Sequence, residues 1–354
     1  MKKPPPSPPA YRPPYTVSGK AMDMMAEIAA AVERYRILLE GPDGLRLRKA
    51  NHVRTLRGTT AIEGNTLTED QITAILAGKR VAAPAREIAE IQGAHAAYTA
   101  IETFDPFSLP DLLKAHAMMT DGLVARPGQW RNVNVGVVDS LGNVVHMAPP
   151  FPNVPRLMAD LFAWLRNDDA PMLVKSCVFH YEFEFIHPFP DGNGRTGRLW
   201  QTVLMGSWRK ELLSAPVENI VWSHQQEYYR ALRESTARAD SGPFIDFMLD
   251  KILRALTAKG EAAVGTAGKT TKKTTKKTTK KTTPSPLSAT TRSPKSAEKI
   301  LAIVRAMPDV TVRELAEATG LSIDGVNWNI RKLKSSARLL RIGPDKGGHW
   351  QVVD

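Results

Sequence analysis

The chain has 354 residues, enough for two or three domains, and a single cysteine, which excludes an intramolecular disulfide. Its net charge of +12 is uneven, because residues 269–294 contain eight basic and no acidic side chains, whereas residues 1–268 contain 30 basic and 29 acidic ones. The basic character therefore describes a short segment and not the larger part of the chain.

The beginning of the chain contains no targeting signal that we can identify. Basic residues at the start are followed by prolines rather than by an apolar run, and no stretch approaches the roughly 18 apolar residues of a membrane span. We therefore expect a cytoplasmic protein with no membrane partner. Residues 1–16 are rich in proline, which predicts an extended surface tail.

The region from Lys20 to about Glu102 has helical apolar spacing. Within it, Thr68-Glu-Asp-Gln71 has the form of a capping box and predicts a helix that begins near Ile72. Just before it, Glu63 is followed by Gly64 and Asn65. Taken alone, this run indicates a helix that ends at a glycine cap.

A serine N-cap and an early proline in Ser108-Leu-Pro-Asp111 predict the next helix, which extends through Met119. The stretch from Trp130 to Pro150 is not helical: valines alternate from Val133, and 140–143 reads as a turn. This pattern predicts a β-hairpin. Further helices are predicted at about 154–166, 172–186, 196–210, 223–239 and 243–256.

Between two of these helices lies His187-Pro-Phe-Pro-Asp-Gly-Asn-Gly-Arg-Thr-Gly-Arg198. An imidazole can act as a base near neutral pH, and a carboxylate such as Asp191 is a hard oxygen ligand suited to Mg²⁺. Two glycines allow the backbone to approach a ligand before a helix whose free N–H groups attract anions. The alternative is a Gly-Asn-Gly turn between packed helices, with His187 in the core.

Three further side chains of this run carry polar chemistry. Arg195 and Arg198 are three residues apart, so both guanidinium groups project to one side of the following helix, where they suit phosphate oxygens. Asn193 adds an amide that donates and accepts hydrogen bonds. These groups together match the needs of nucleotidyl transfer, which requires a base, bound phosphates and neutralised charge.

This run resembles the signature of the Fic (Fido) family, H-x-F-x-[DE]-G-N-G-R-x-x-R, and every fixed position is present. The resemblance extends over about residues 10–256. It implies a mainly α protein: a Fic-type helical bundle with a β-hairpin flap, followed here by a small α+β winged-helix domain. It also implies an enzyme that transfers AMP from ATP to a Ser, Thr or Tyr hydroxyl of a protein and releases pyrophosphate.

The resemblance also implies roles for individual residues. His187 would be the base and Asp191 would bind Mg²⁺, while the loop would hold the α- and β-phosphates and Arg198 would reach the γ-phosphate. Residues implied to bind ATP are Gly192, Asn193, Gly194, Arg195, Arg198, Tyr228 and Tyr229, although the two tyrosines are equally well explained as packing aromatics. Flap residues implied to dock the target by strand pairing are Val144, Val145, His146 and Met147.

A second run, Thr59-Thr-Ala-Ile-Glu63-Gly64-Asn65, resembles the inhibitory motif [ST]-x-x-x-E-[GN] of the same family, in the subclass that has its inhibitory helix N-terminal to the catalytic domain. A glutamate paired with Arg198 would occupy the guanidinium group that the γ-phosphate needs. We therefore expect Thr59 and Glu63 to inhibit ATP binding. A glutamate there can also position water, so removal of AMP from a target stays open.

The end of the chain suggests a separate module. Lys/Thr repeats and like charges predict a disordered linker at 258–294. Residues 310–339 read as a helix-turn-helix, and 339–342 and 349–352 as two strands, which together resemble a winged helix. Residues that could contact DNA are Asn327, Asn329, Arg331, Lys332 and Arg341.

These observations predict four regions: an inhibitory N-terminal region (1–104), a catalytic domain (105–257), the linker (258–294) and a winged helix (295–354). Two alternatives to a self-inhibited protein adenylyltransferase remain. One is a DNA-binding regulator whose Fic domain modifies itself, and the other is a hydrolase that removes AMP. The target protein, the release of inhibition and the oligomeric state, a homodimer included, stay open.

Overall fold

A computed structural model describes residues 11–138, 144–258, 294–308, 310–319, 326, 329–330, 333, 338–342 and 349–352. Contacts divide the chain into two compact units, residues 1–271 and 272–354. Helices dominate both the larger unit and the described part of the smaller one, as the sequence predicts.

The first unit is a bundle of helices with one small antiparallel hairpin. Its helices are α1 (Gly19–Glu40), α2 (Gly44–Ala61), α3 (Glu69–Leu76), α4 (Ala85–Thr99), α5 (Leu109–Met119), α6 (Val154–Asn167), α7 (Met172–Ile186), α8 (Asn193–Trp208), α9 (Val217–Ser223), α10 (Gln225–Arg238) and α11 (Gly242–Thr257). Short 3-10 helices lie at Ile101–Thr103, Phe151–Asn153 and Lys210–Ser214.

Two helices form the centre of this bundle. α7 and α8 are buried on nearly every face, and they bury charged and polar side chains, Arg195 and Arg198 among them, as well as apolar ones. They are joined by the loop 187–192, which contains the first half of the signature run, and the second half lies on α8. The hydrophobic core therefore fixes both ends of that loop.

Local signals in the sequence account for several helix starts. The capping box of Thr68 and Gln71 and the N-cap of Ser108 are both present, as predicted. Ser18 caps α1 in the same way. Upstream of it, Tyr11 donates a hydrogen bond to Glu182 on α7 at 2.7 Å, so the described part of the tail lies against the bundle.

The predicted hairpin exists but its first strand is shorter than expected. β1 (Gly136–Val138) pairs antiparallel with β2 (Val144–Met147), and the register shifts between Val137 and Val138. Val133 lies outside the strand, because its carbonyl accepts a hydrogen bond from Arg131 at 2.9 Å instead of from a strand partner. The predicted turn at 140–143 lies outside the described residues.

The second unit has its own small core. It contains α12 (Pro294–Ala306), α13 (Val312–Thr319) and the antiparallel pair β3 (Leu339–Ile342) and β4 (His349–Val352). Trp350 packs in that core and donates an indole hydrogen bond to Val310 at 3.1 Å. The capping box of Thr311 and Glu314 begins α13 as predicted. The predicted disordered linker lies largely outside the described residues.

Candidate active site

The loop between α7 and α8 is bracketed by two residues in the left-handed conformation. His187 ends α7 with φ 50° and ψ 60°, and Gly192 precedes α8 with φ 82°. A Cβ atom at Gly192 would lie 2.6 Å from Cγ2 of Thr120, so sterics as well as φ require glycine there. The chain therefore turns sharply and presents the first N–H groups of α8 beside the imidazole.

Asn193 fixes the shape of the loop. Its carboxamide oxygen accepts a hydrogen bond from the N–H of Phe189, and its NH₂ group donates to the carbonyl of Phe189, both at 2.8 Å. The side chain is buried and committed to this backbone. Its predicted contact with ATP stays a prediction, and the role that the structure supports is to hold the loop.

His116 on α5 also holds this loop in place. The N–H of Gly128 donates to Nδ1, so Nε2 carries the proton and donates to the carbonyl of Asp191 at 3.0 Å. The ring stacks on Phe189 with centroids 3.6 Å apart, and burial lowers the pKa of His116 to about 4. A neutral imidazole with both nitrogens engaged thus links α5 to the loop.

Arg131 joins the hairpin to the loop. Its guanidinium group donates to the carbonyl of His187 at 2.8 Å, and also to the carbonyls of Val133, Pro149 and Ile186. The side chain is only 2% exposed. This single cation therefore ties both ends of the hairpin segment to the end of α7.

The imidazole of His187 is poised as a neutral base. Burial lowers the pKa of His187 to about 4, so the ring is uncharged at neutral pH. Among the described residues, Nδ1 has no hydrogen-bond partner and lies 3.9 Å from the carboxyl group of Glu184. Burial raises the pKa of Glu184 to about 7, against the opposing effect of Arg198.

Asp191 is the one carboxylate of the loop. Burial alone would raise the pKa of Asp191, but Arg195, the N–H of Gly192 and Arg86 together hold it below its usual value. The described residues contain no cluster of three or more His, Cys, Asp or Glu side chains that could hold a metal ion by themselves. One partly exposed carboxylate fits Mg²⁺, which commonly binds one or two carboxylates and completes its shell with water and phosphates.

Arg195 faces the interior of the loop. It is 2% exposed and pairs with Asp191 at 3.3 Å, while its Nε and Nη1 atoms have no hydrogen-bond partner in the part of the chain that the structure describes. Buried guanidinium donors that lack an acceptor are costly unless an anion or water completes them. The predicted contact of Arg195 with phosphate is compatible with this position.

Arg198 and Glu63 meet at the start of α8. Nη2 of Arg198 donates to Oε1 of Glu63 at 2.6 Å and to the carbonyl of Thr59 at 2.9 Å, and Nε donates to the Thr59 hydroxyl at 3.2 Å. A Cβ atom at Gly194 would lie only 2.2 Å from Oε1 of Glu63. The Glu63 carboxylate therefore lies directly on the glycine loop, where an anion is expected to bind.

The two tyrosines predicted to bind ATP differ in their exposure to solvent. Tyr228 is 2% exposed, accepts or donates a hydrogen bond with His180 at 3.1 Å, and packs among phenylalanines. Tyr229 is 39% exposed, and its hydroxyl lies 3.4 Å from the carbonyl of Ile62 at the end of α2. Tyr229, and not Tyr228, thus lies beside the segment that contains Glu63.

The predicted flap residues lie on β2. His146 donates a hydrogen bond from Nε2 to the carbonyl of Phe185 at 2.8 Å, which anchors the strand on α7, and Met147 is 64% exposed. Val144 and Val145 belong to the same strand. Their role in binding a target stays a prediction.

Of the five residues predicted to contact DNA, two lie among the described residues. Asn327, Arg331 and Lys332 lie outside the described residues, and Arg341 lies on β3. Asn329 is 7% exposed. Its burial argues against the base contact predicted for it, because a side chain inside the core cannot reach a groove.

Four residues near the loop were not predicted from the sequence: Arg86, His116, Arg131 and Glu184. Each lies outside the signature run, and Arg86, His116 and Arg131 reach the loop from segments that are distant in the sequence. A histidine inside an apolar helix, such as His116, was the available signal. It is equally typical of a core residue without function, so the sequence alone could not separate the two.

Comparisons with known proteins agree with this geometry. The Fic/DOC family profile matches residues 106–205, and a winged helix-turn-helix DNA-binding profile matches residues 295–336. A probable protein adenylyltransferase of Aquifex aeolicus is 40% identical over 90 residues, which is 25% of this chain and 26% of that protein. A protein adenylyltransferase of Caenorhabditis briggsae is 30% identical over 203 residues, 54% of this chain and 38% of that protein.

The chain therefore spans less than half the length of these two curated relatives. A solved Fic family protein from Desulfovibrio desulfuricans matches far more completely: it is 37% identical with a TM-score of 0.68, over 97% of this chain and 98% of that one. The Caenorhabditis elegans protein, at 22% identity and a TM-score of 0.57, covers 67% of this chain and 71% of its own and shows the shared fold. With its signature loop complete and its whole length shared with a solved relative, the chain belongs to the Fic family and ends in a winged helix-turn-helix domain.

Proposed function

We propose that this protein transfers AMP from ATP to a hydroxyl group of a protein and releases pyrophosphate. The observation that carries the proposal is the loop 187–194, where a neutral imidazole and the anion-attracting start of α8 lie together. Both curated relatives described above are named protein adenylyltransferases or probable ones. Their names support the same chemistry here.

The proposed reaction requires a base, bound phosphates and neutralised charge. The target hydroxyl oxygen attacks the α-phosphorus of ATP, the bond from that phosphorus to the α,β-bridging oxygen breaks, and pyrophosphate leaves. His187 accepts the hydroxyl proton, a task for which its lowered pKa of about 4 keeps it unprotonated at neutral pH. The N–H groups of Asn193 and Gly194 and the Arg198 guanidinium would bind the phosphates.

Asp191 would hold a Mg²⁺ ion. When bound, that ion would supply positive charge to the phosphate oxygens. The rest of the charge stabilisation falls to this chain's own donors. Arg195 has two buried guanidinium nitrogens that have no acceptor among the described residues. Tyr229 would lie at the edge of the nucleotide site, since it is half-exposed beside Ile62.

We further propose that the chain inhibits itself through Thr59 and Glu63. The Glu63 carboxylate contacts Arg198 and lies on Gly194, so it occupies the place of a phosphate group. ATP would have to displace the Glu63 carboxylate. As long as the carboxylate stays in place, ATP would bind weakly or in an unproductive position. On this proposal the chain would belong to the group of Fic proteins with an N-terminal inhibitory helix.

The target would bind along the hairpin. β2 belongs to a sheet of only two strands, and a two-stranded sheet leaves a strand edge with backbone groups that a target segment can pair with. Val144, Val145, His146 and Met147 would form that edge.

The winged helix would bind DNA. The support is the match of residues 295–336 to a DNA-binding family and the basic stretch 269–294, which would attract any polyanion in a salt-dependent manner. A gel-shift assay on residues 260–354 and 295–354 tests it. Retention of a DNA duplex at low salt by residues 295–354 supports the proposal. Retention by residues 260–354 alone would assign the binding to the basic stretch, and this outcome, like no retention by either fragment, contradicts binding by the winged helix.

The regions have distinct roles in this account: 1–104 regulates, 105–257 catalyses, 258–294 tethers and 295–354 binds a partner. The cytoplasm is the proposed compartment, where ATP is present and where the buried thiol of Cys177 would stay reduced. No helix in the described ranges combines the length and apolar character needed to cross a membrane.

ATP labelled at the α-phosphate, and separately at the γ-phosphate, tests the chemistry. We expect the Glu63→Gly protein to place α-label, but no γ-label, on protein in a cell lysate, and the Glu63→Gly/His187→Ala protein to place neither. Label from the γ-position would mean phosphoryl transfer and contradict the proposal. Release of AMP from an already modified protein, without incorporation, would favour the hydrolase.

A further inference from the structure

Arg86 contacts the carboxylate that is proposed to bind the metal ion. Its Nη2 atom donates to Oδ2 of Asp191 at 2.8 Å, although the two residues are 105 positions apart in the chain. Arg86 lies in the first turn of α4 and its side chain is 62% exposed. The contact therefore brings a cation from the regulatory region to the catalytic loop.

The other oxygen of Asp191 is already used by the loop itself. Oδ1 accepts from the N–H of Gly192 at 2.6 Å and from Arg195 at 3.3 Å. Oδ2 is thus the oxygen that remains to face a ligand outside the loop, and it is the one that Arg86 occupies. A guanidinium group and a divalent cation at the same oxygen repel each other, so Arg86 at Oδ2 disfavours the binding of a divalent cation there.

Arg86 is connected to the segment that contains Glu63. Its Nε atom pairs with Oε1 of Glu90 at 3.4 Å, and Oε2 of the buried Glu90 accepts from the amide of Asn65 at 3.0 Å. Asn65 also donates to the carbonyl of Glu87 at 3.1 Å, which fixes it to α4. Asn65, two residues after Glu63, and Arg86 therefore belong to one hydrogen-bonded network.

We propose that Arg86 takes the place of the divalent cation at Asp191, so that the regulatory region blocks the catalytic loop with two opposite charges. Glu63 covers the phosphate site with an anion, while Arg86 covers the metal site with a cation. This inference rests on the proposed function and names a second inhibitory residue for the same site. Arg86 does not touch the reacting atoms; it competes with the metal ion for its ligand.

Removal of Arg86 is expected to strengthen binding of the metal–nucleotide complex. The pair is partly exposed, so the gain should be roughly two- to fivefold in Kd, as expected for an exposed ion pair. Binding is measured by calorimetry with α,β-methylene-ATP, which cannot be cleaved at the α,β-bond. The measurement uses the full-length Glu63→Gly protein, once in Mg²⁺ and once in EDTA.

Arg86→Gln is the test variant, and Arg36→Gln is the matched control. Arg36 pairs with Glu33 and Glu40 on α1, so its substitution removes the same charge away from the loop. We expect Arg86→Gln to lower the Kd in Mg²⁺ but not in EDTA, Arg86→Lys to give a smaller decrease, and Arg36→Gln to give none.

A Kd in Mg²⁺ that is equal or higher in Arg86→Gln than in Arg36→Gln would overturn the inference and leave the proposed function intact. A decrease that is just as large in EDTA would also overturn it, because the effect would then not involve the metal ion. If the Glu63→Gly protein bound no nucleotide in either buffer, the proposed function and this inference would both be wrong.

Discussion

The carboxylate of Glu63 lies 2.6 Å from Nη2 of Arg198, and it joins two segments that are 135 residues apart in the chain. Arg198 is 3% exposed and also bonds Thr59, so it is held on two sides by the end of α2. Burial alone would lower the pKa of Arg198, but Glu63 and neighbouring groups outweigh this and raise it. An anion of the chain itself therefore satisfies the guanidinium group that is proposed to bind phosphate.

Replacement of Glu63 by glycine should free this guanidinium group. We expect the Kd for ATP in Mg²⁺, measured by calorimetry, to fall roughly tenfold, because hydrogen bonds to charged groups contribute about 1.5–3 kcal/mol and Glu63 is 37% exposed. Glu40→Gly, at the exposed end of α1, is the control and should leave the Kd unchanged. Equal affinities of the Glu63→Gly and unaltered proteins would contradict an inhibitory role.

Gly194 offers a test of the same contact that does not depend on nucleotide. A Cβ atom there would lie 2.2 Å from Oε1 of Glu63 and 2.9 Å from Nη1 of Arg198. Gly194→Ala should therefore destabilise the protein with Glu63 present, whereas with Glu63→Ala the better helix propensity of alanine should offset much of the strain.

This prediction is checked by a double-mutant cycle on the free energy of unfolding. We expect a coupling energy between positions 63 and 194 of about 1 kcal/mol or more. Glu40→Ala in place of Glu63→Ala is the control, and it should show no coupling with Gly194→Ala. Additive effects at positions 63 and 194 would mean that the carboxylate does not lie on the loop in solution.

The sequence predicted those residues of the site that lie close together in the chain. His187, Asp191 and Arg198 belong to one run with fixed spacing, so their proximity could be predicted. Glu63 was found because its neighbours form a second recognisable motif. In both runs the residues that form the site lie close together in the sequence: one run forms the loop before α8, and the other lies at the end of α2.

The residues that the sequence did not reveal reach the loop by tertiary packing. Arg131 binds four backbone carbonyls, and His116 binds one carbonyl and accepts from one N–H group. Because these hydrogen bonds are made to backbone groups, they do not depend on the type of the partner residue. No sequence pattern therefore predicts them. The length of the first hairpin strand was missed for the same reason, because Arg131 takes the carbonyl of Val133.

His180 makes stability dependent on pH. It is fully buried, with Nδ1 and Nε2 bonded to Gln201 and Tyr228, and burial lowers its pKa to about 3. The unfolded chain, with a histidine pKa of about 6.5, binds more protons between pH 3 and 6.5. The contribution is therefore complete above pH 6.5 and is lost as the pH falls below it.

We expect the free energy of unfolding of the full-length protein to decrease steadily from pH 6.5 to pH 4. Replacement of His180 by glutamine should reduce the slope by up to about 1.4 kcal/mol per pH unit, the value for one proton. The measurement is urea unfolding followed by far-UV circular dichroism at several pH values. Parallel curves for the two proteins would show that His180 does not stay neutral in the folded state.

The mass of the protein after exposure to ATP tests the central claim most directly. We expect intact-mass spectrometry of the Glu63→Gly protein, incubated with ATP and Mg²⁺, to show an added AMP group. The same protein with His187→Ala should show none, because the base that accepts the hydroxyl proton is gone. An unchanged mass of the Glu63→Gly protein, together with no AMP added to the proteins of a cell lysate under conditions in which it binds ATP, would contradict the claim that this loop transfers AMP.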